Sequence, residues 1–162
     1  MNETSQAVRN AYFEDVEVGT VVPPVEYGPH SLVTAVFWAG FQENRSGLHF
    51  DREYVRKSGG ANSIVASGAL RQSFLTRTLT DWAGPRSFLR AMTVRHTAST
   101  YEGDMQVYSA SVVEKSQDAS KPWIVCELDG RNQNGEQILK GRCTLLLASR
   151  AGAVDRPVWE DG

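Results

Sequence analysis

The spacing of apolar residues changes once along this chain, from helical intervals before the Gly84-Pro85 pair to alternation after it. Leu32, Val36, Phe37 and Phe41 recur at helical spacing behind Ser31, a suitable N-cap, so a helix is expected from there to just before Asn44. A longer stripe of Leu70, Phe74, Leu75, Leu79 and Trp82 predicts the main helix. It should open between Asn62 and Ser67 and stop at Gly84, which tolerates positive φ, and Pro85, which cannot continue a helix. Arg52 to Ser58 reads as a short helical turn closed by Gly59-Gly60. Val21, Val22 and Val25 predict a strand that Pro23-Pro24 would confine to a sheet edge.

Beyond Pro85, the stretches 88–98, 104–115, 123–131 and 137–149 are rich in β-branched and aromatic residues. Turn signals at Glu102-Gly103, between Asp118 and Pro122, and at Asn134-Gly135 separate them, which predicts an antiparallel meander of long strands. One long helix buried against a strongly curved antiparallel sheet is an α+β layer architecture. A length of 162 residues, 41% of them apolar, suits one domain with a single core. Residues 1–10 and 150–162, rich in polar residues, Gly and Pro, read as flexible ends.

Charge and cysteine content narrow the function classes. A net charge of −2 with both signs interspersed offers no basic field, so no nucleic acid is expected as partner. The first ten residues are polar and no apolar run approaches the roughly 18 residues that span a bilayer, so the expectation is a cytoplasmic protein without membrane contact. Cys126 and Cys143 fall in separate expected strands without CxxC spacing or a histidine nearby, which fits two reduced, buried thiols. No metal is expected, because the three histidines and two cysteines have no ligand spacing.

The run Asn44-Arg45-Ser46-Gly47-Leu48-His49-Phe50-Asp51, continuing into Arg52-Glu53-Tyr54, resembles the catalytic loop of the MaoC-like hydratases and dehydratases. Tyr12 to Gly19 is similar to that family's opening phrase, and Val65-Ala66-Ser67-Gly68-Ala69 to the start of its central helix. Asp81-Trp82-Ala83-Gly84-Pro85, followed by Tyr101-Glu102-Gly103-Asp104, further resembles hydratase subunits that act on acyl-CoA side chains of steroids. The resemblance implies a single hot-dog domain over residues 11–149, a long central helix wrapped by a curved antiparallel sheet. It implies water addition to a trans-2-enoyl thioester, giving an (R)-3-hydroxyacyl thioester, or the reverse dehydration, in fatty-acid or steroid side-chain metabolism. The thioester of CoA or an acyl carrier would be the substrate, with no further cofactor. A homodimer, or a heteromer with a related hot-dog subunit, is implied as well.

Residue by residue, the resemblance sets His49 at the family's proton-handling histidine and Asn44 at its aspartate. Gly68 matches the glycine whose N–H polarises the thioester carbonyl, and Ser67 a position that is serine or histidine in relatives. Ser46 and Gly47 depart from the usual Asn-Pro, and Ser46 is retained as a substrate contact. The chemistry needs a base near water, a proton returned to Cα, and stabilisation of charge on the carbonyl oxygen. An imidazole titrates near neutrality and can do both transfers. Free N–H groups at the first turn of a helix favour an oxyanion, and a glycine there admits a close approach.

Asn44 can hold water through its amide oxygen but cannot accept a proton. Losing a general base costs about 10²–10⁴ in rate, unless the residue serves chiefly to orient water. Three other readings therefore stay open: a non-catalytic thioester-binding subunit, a hot-dog acyl-CoA thioesterase, and a plain ligand-binding module. Asn44 also suits a turn, Gly68 close helix packing, and Ser67 a helix cap. His30 and His96 have no partner in the sequence, and Trp38, Trp82 and Trp123 are expected to fill core or interface.

Overall fold

The computed structural model describes residues 11–58, 60–118 and 120–150. In chain order it contains β1 (Val21–Tyr27), α1 (Leu32–Phe41), α2 (Arg52–Ser58), α3 (Gly68–Ala83), β2 (Phe88–His96), β3 (Gln106–Lys115), β4 (Trp123–Asn132) and β5 (Gln137–Leu146). The strands form one five-stranded sheet in the order β1-β3-β4-β5-β2, with every neighbouring pair antiparallel.

Only part of this is a meander. β3, β4 and β5 follow one another as hairpin neighbours, but β2 pairs with β5 at the far edge and not with β3. Alternation told which residues face inward; it did not distinguish a local neighbour from a distant one. The crossover from β2 to β3 carries residues 97–105 back past the start of α3. β1 is the opposite edge strand and runs through Pro23 and Pro24, with its register shifting between Val22 and Val25. A missing ladder N–H is tolerated at such a place.

α3 begins at Gly68 with Ser67 in the N-cap position, at the far end of the interval expected for its start, and ends at Gly84, whose φ of 85° turns the chain out of the helix. Leu75, Leu79 and Ala83 bury that helix against Tyr108, Val112, Ile124 and Leu145 of the sheet. Phe74 and Trp82 are partly buried beside them. Cys126 and Cys143 are free, buried and directly paired across β4 and β5.

α1 departs from expectation in its packing. Ser31 caps it, accepting a hydrogen bond from the Thr34 N–H at 3.2 Å. Yet the side chains that pack inward are Ala35 and Ala39, while Phe37 and Phe41 of the expected stripe are 76% and 80% exposed. With α2 this helix forms a thin cap whose own buried residues are Ala35, Val55 and Ile64. Of the flexible ends expected at 1–10 and 150–162, all but Arg150 lie outside the described residues. Arg150 is tied down, its backbone N–H donating to Glu14 and its guanidinium pairing with Asp15. No helix among the described residues is long and apolar enough to cross a membrane.

Candidate functional site

The segment from Glu43 to Asp51 leaves α1 by a sharp turn. Glu43 takes the left-handed conformation at φ 51°, rare for a residue with a Cβ and commonest where geometry matters more than ease. The Asn44 N–H then donates to Ala39 O at 2.9 Å, and its side-chain Oδ1 accepts the Ser46 N–H at 3.0 Å. Gly47–His49 form a single 3₁₀ turn. A Cβ on Gly47 would stand 2.7 Å from the Tyr54 ring, so glycine is required for that ring to close over the turn. Asp51 accepts the N–H groups of Glu53 and Tyr54 and starts α2.

His49 is fixed by one bond with a chemical consequence. Its Nδ1 lies 2.8 Å from Val65 O. A carbonyl oxygen only accepts, so Nδ1 carries the hydrogen and the neutral ring presents Nε2 as a bare lone pair. Val65 is held in turn: its N–H donates to Leu48 O, and its bridge to Tyr101 stitches it to the β2–β3 crossover. On either side the Ala66 N–H donates to Thr100 O and the Glu102 N–H to Ile64 O. Glu102 also takes a two-point contact from Arg52 of α2, at 3.1 and 2.6 Å. That hydrogen bond holds its carboxyl below the usual range.

Asn44, His49 and Ser67 meet in one tight cleft, closed by Ala35, Trp38, Ala39 and Leu70, with no room for a water molecule as built. Ser67 precedes α3 without capping it through its side chain. The first intrahelical bond is from the Arg71 N–H to Ser67 O, so the N–H groups of Gly68, Ala69 and Leu70 have no partner within the helix. Ser46 is different: it is exposed and not among the residues of the cleft. An open groove of about 530 Å³ continues from Ala39 and Asn44 between α1 and Phe50. A broader hollow of about 730 Å³ over β2 to β5, lined by residues such as Arg95 and Arg142, includes none of these groups.

Three residues without a role in the sequence reading stand at or near this cleft. Trp38 is among its lining residues, with a buried Nε1 that finds no acceptor among the described residues. Its only sign in the sequence is its place on the helix leading into Asn44. His30 is 3% exposed with neither ring nitrogen bonded among the described residues, and burial pushes its pKa down, as does nearby His49, while Glu102 and Asp104 pull it up. His96, at the end of β2, stands over Gly68, where a Cβ would come within 3.1 Å of its Nε2. Partial burial lowers its pKa, and the guanidinium of Arg71 adds to the effect. Arg71 is itself buried and donates to Ala98 O and Ile138 O, which pins the crossover to α3. Among the described residues no cluster of His, Cys, Asp or Glu is arranged to hold a metal.

Fold and cleft together define a hot-dog domain with a histidine beside the start of its central helix. Neither a protein-family model nor a curated protein matches the chain. Solved structures do match. The R-hydratase PhaJ1 from Pseudomonas aeruginosa superposes with a TM-score of 0.77 at 21% identity, over 88% of each chain. A MaoC-like dehydratase from Rhodospirillum rubrum gives 0.70 at 19%, over 85% of this chain and 97% of that one. The ChsH1-ChsH2 complex from Mycobacterium tuberculosis gives 0.71 at 23%, over 81% and 98%. The chain has the hot-dog fold of the MaoC-like hydratases and dehydratases.

Proposed function

We propose that the chain adds water to trans-2-enoyl thioesters, or removes it from 3-hydroxyacyl thioesters. The observation that carries this reading is the His49 Nδ1–H bond to Val65 O, which leaves Nε2 as the base in a cleft shared with Asn44 and Ser67. In hydration Nε2 takes a proton from water as the oxygen bonds to Cβ. The π electrons move onto the thioester as an enolate, and the imidazolium returns the proton to Cα. The Gly68 N–H and the positive end of α3 stabilise the enolate oxygen. Asn44 Oδ1 has a second lone pair beyond its bond to Ser46, enough to orient a water without taking its proton.

CoA or an acyl carrier enters only as the thioester, and the groove beside Asn44 offers apolar surface for the acyl part. Association with a second hot-dog subunit, identical or related, fits the unpaired outer edge of β2 and the exposed Phe37 and Phe41. A non-catalytic subunit is the second reading. It is favoured by the Asn44–Ser46 bond, which is also what a plain turn residue makes, and by the likeness to one chain of a two-protein complex. A thioesterase is less well supported, since no carboxylate lines the cleft among the described residues.

The test follows the enoyl absorbance with short, long and steroid-side-chain enoyl-CoAs. Wild type should hydrate at least one of them, and His49→Ala should lose about 10²–10⁴ in kcat. An inactive wild type that gains activity as Asn44→Asp establishes the second reading. Release of free CoA without hydration identifies a thioesterase.

A further inference from the structure

Trp38 lines the cleft together with Asn44, His49 and Ser67, and carries a hydrogen-bond donor with nothing to give it to. Its Nε1 is buried and without an acceptor among the described residues. An indole N–H can only donate, so the mismatch is not relieved by rotation, as it is for the Ser67 hydroxyl. A phenylalanine would fill nearly the same space with no unpaired group. The ring is also held in place, packed against Phe41 at 5.7 Å between centroids. A buried and unsatisfied donor on a side chain that lines the same cleft as a histidine is a group awaiting an acceptor.

The reacting oxygen supplies one. A water whose two protons point to His49 Nε2 and Asn44 Oδ1 has two lone pairs left. One attacks Cβ; the other can accept a hydrogen bond. We propose that Trp38 is the third protein group on that oxygen, donating to the water that adds and, in reverse, to the 3-hydroxyl that leaves. This rests on the hydratase reading of the cleft and adds a substrate-contacting residue to it. Trp38 transfers no proton: the O–Cβ bond forms or breaks while His49 carries the proton between oxygen and Cα. Its N–H holds the oxygen in line and, in dehydration, stabilises the charge on the departing group.

Trp38→Phe keeps the ring and removes the donor. It should lower kcat about tenfold to a hundredfold, the worth of one buried hydrogen bond, and leave KM for the enoyl thioester within about twofold. The enoyl substrate has no oxygen at Cβ, so the lost bond belongs to the reacting step. A second readout is the indole N–H resonance of Trp38 in protein labelled with ¹⁵N-tryptophan, assigned by its loss in Trp38→Phe. It should move downfield with a 3-hydroxyacyl-CoA and stay in place with the saturated acyl-CoA that lacks the hydroxyl. An active wild type matched by Trp38→Phe overturns this assignment and leaves the hydratase reading standing, as does an indole resonance that responds alike to both ligands. A wild type that neither turns over nor shifts its indole overturns both. An inactive wild type whose indole responds only to the hydroxylated ligand retains the contact and rejects the catalytic reading.

Discussion

Leu79 on α3 and Ile64 just before that helix are both fully buried, yet they belong to different cores. Leu79 sits among side chains from α3 and the sheet strands, interlocked by long antiparallel ladders. Among the described residues Ile64 has only Ala35 and Val55 as buried partners in its cluster, with Leu32, Leu48 and Ala61 partly covering them. The candidate site lies on the seam: His49 comes from the cap, while Gly68 opens the helix buried on the sheet. A region with so few buried contacts opens at lower free energy than the sheet beside it. The cleft is closed as built, so under the proposed function the cap is the side expected to yield to substrate.

The largest effect should separate the two regions cleanly. Leu79→Ala is expected to lower stability by about 2–5 kcal/mol, measured by urea unfolding, and to leave kcat per folded molecule near wild type. A comparable fall in kcat would mean that core and site are mechanically one. The matched pair Ile124→Val and Ile64→Val is a finer probe, since both residues are fully buried. Ile124→Val should cost about 0.5–1.5 kcal/mol of global stability. Ile64→Val should shift the unfolding midpoint less and instead speed amide exchange at Val65 and Ala66. Equal midpoint shifts with unchanged exchange would show that cap and sheet unfold together.

The smallest effect concerns pH. His30 has a folded-state pKa below its ordinary 6.5, chiefly through burial. The unfolded chain therefore binds more protons below that value, so the stability His30 confers is full above about pH 6.5 and is lost as pH falls toward the lower, folded pKa. His96 acts in the same direction. The melting temperature should fall between pH 7.5 and 5.5, and fall less in His30→Leu. An identical slope in the variant would remove His30 from the account.

The elements that periodicity reveals were legible in the sequence because each is decided by its own residues against one surface. α3 and its stop at Gly84 are of this kind, as is the edge position of the proline-broken β1. What was not legible depended on distant partners. β2 joins β5 through pairs such as Val94 with Gly141, a choice that the alternation in β2 does not encode. The spacing in α1 predicts a helix but not what covers it, and Phe37 and Phe41 stay uncovered. Within the site, the structure brings His49, Asn44 and Ser67 to one cleft and leaves Ser46, which the sequence reading named as a substrate contact, outside it. Trp38, His30 and His96 were missed for a common reason. What marks Trp38 and His30 is a buried polar atom without a partner, and what marks His96 is a glycine beneath its ring. Neither property exists until the chain is folded.

The β2–β3 crossover also imposes an order of assembly. The hairpins β3–β4 and β4–β5 close between near neighbours, but residues 97–98 and Arg71 all hang on Ile138 O in β5. Until that strand is in place, the segment that carries Thr100 and Glu102 beneath Val65 lacks its anchor on the sheet. Contacts of long sequence separation form late, because the loop they close is costly before it is rewarded. On a ribosome, the histidine loop would emerge early and wait for the last strand before its floor existed. A chain that stopped short of β5 could retain every residue of the candidate site and still have no site.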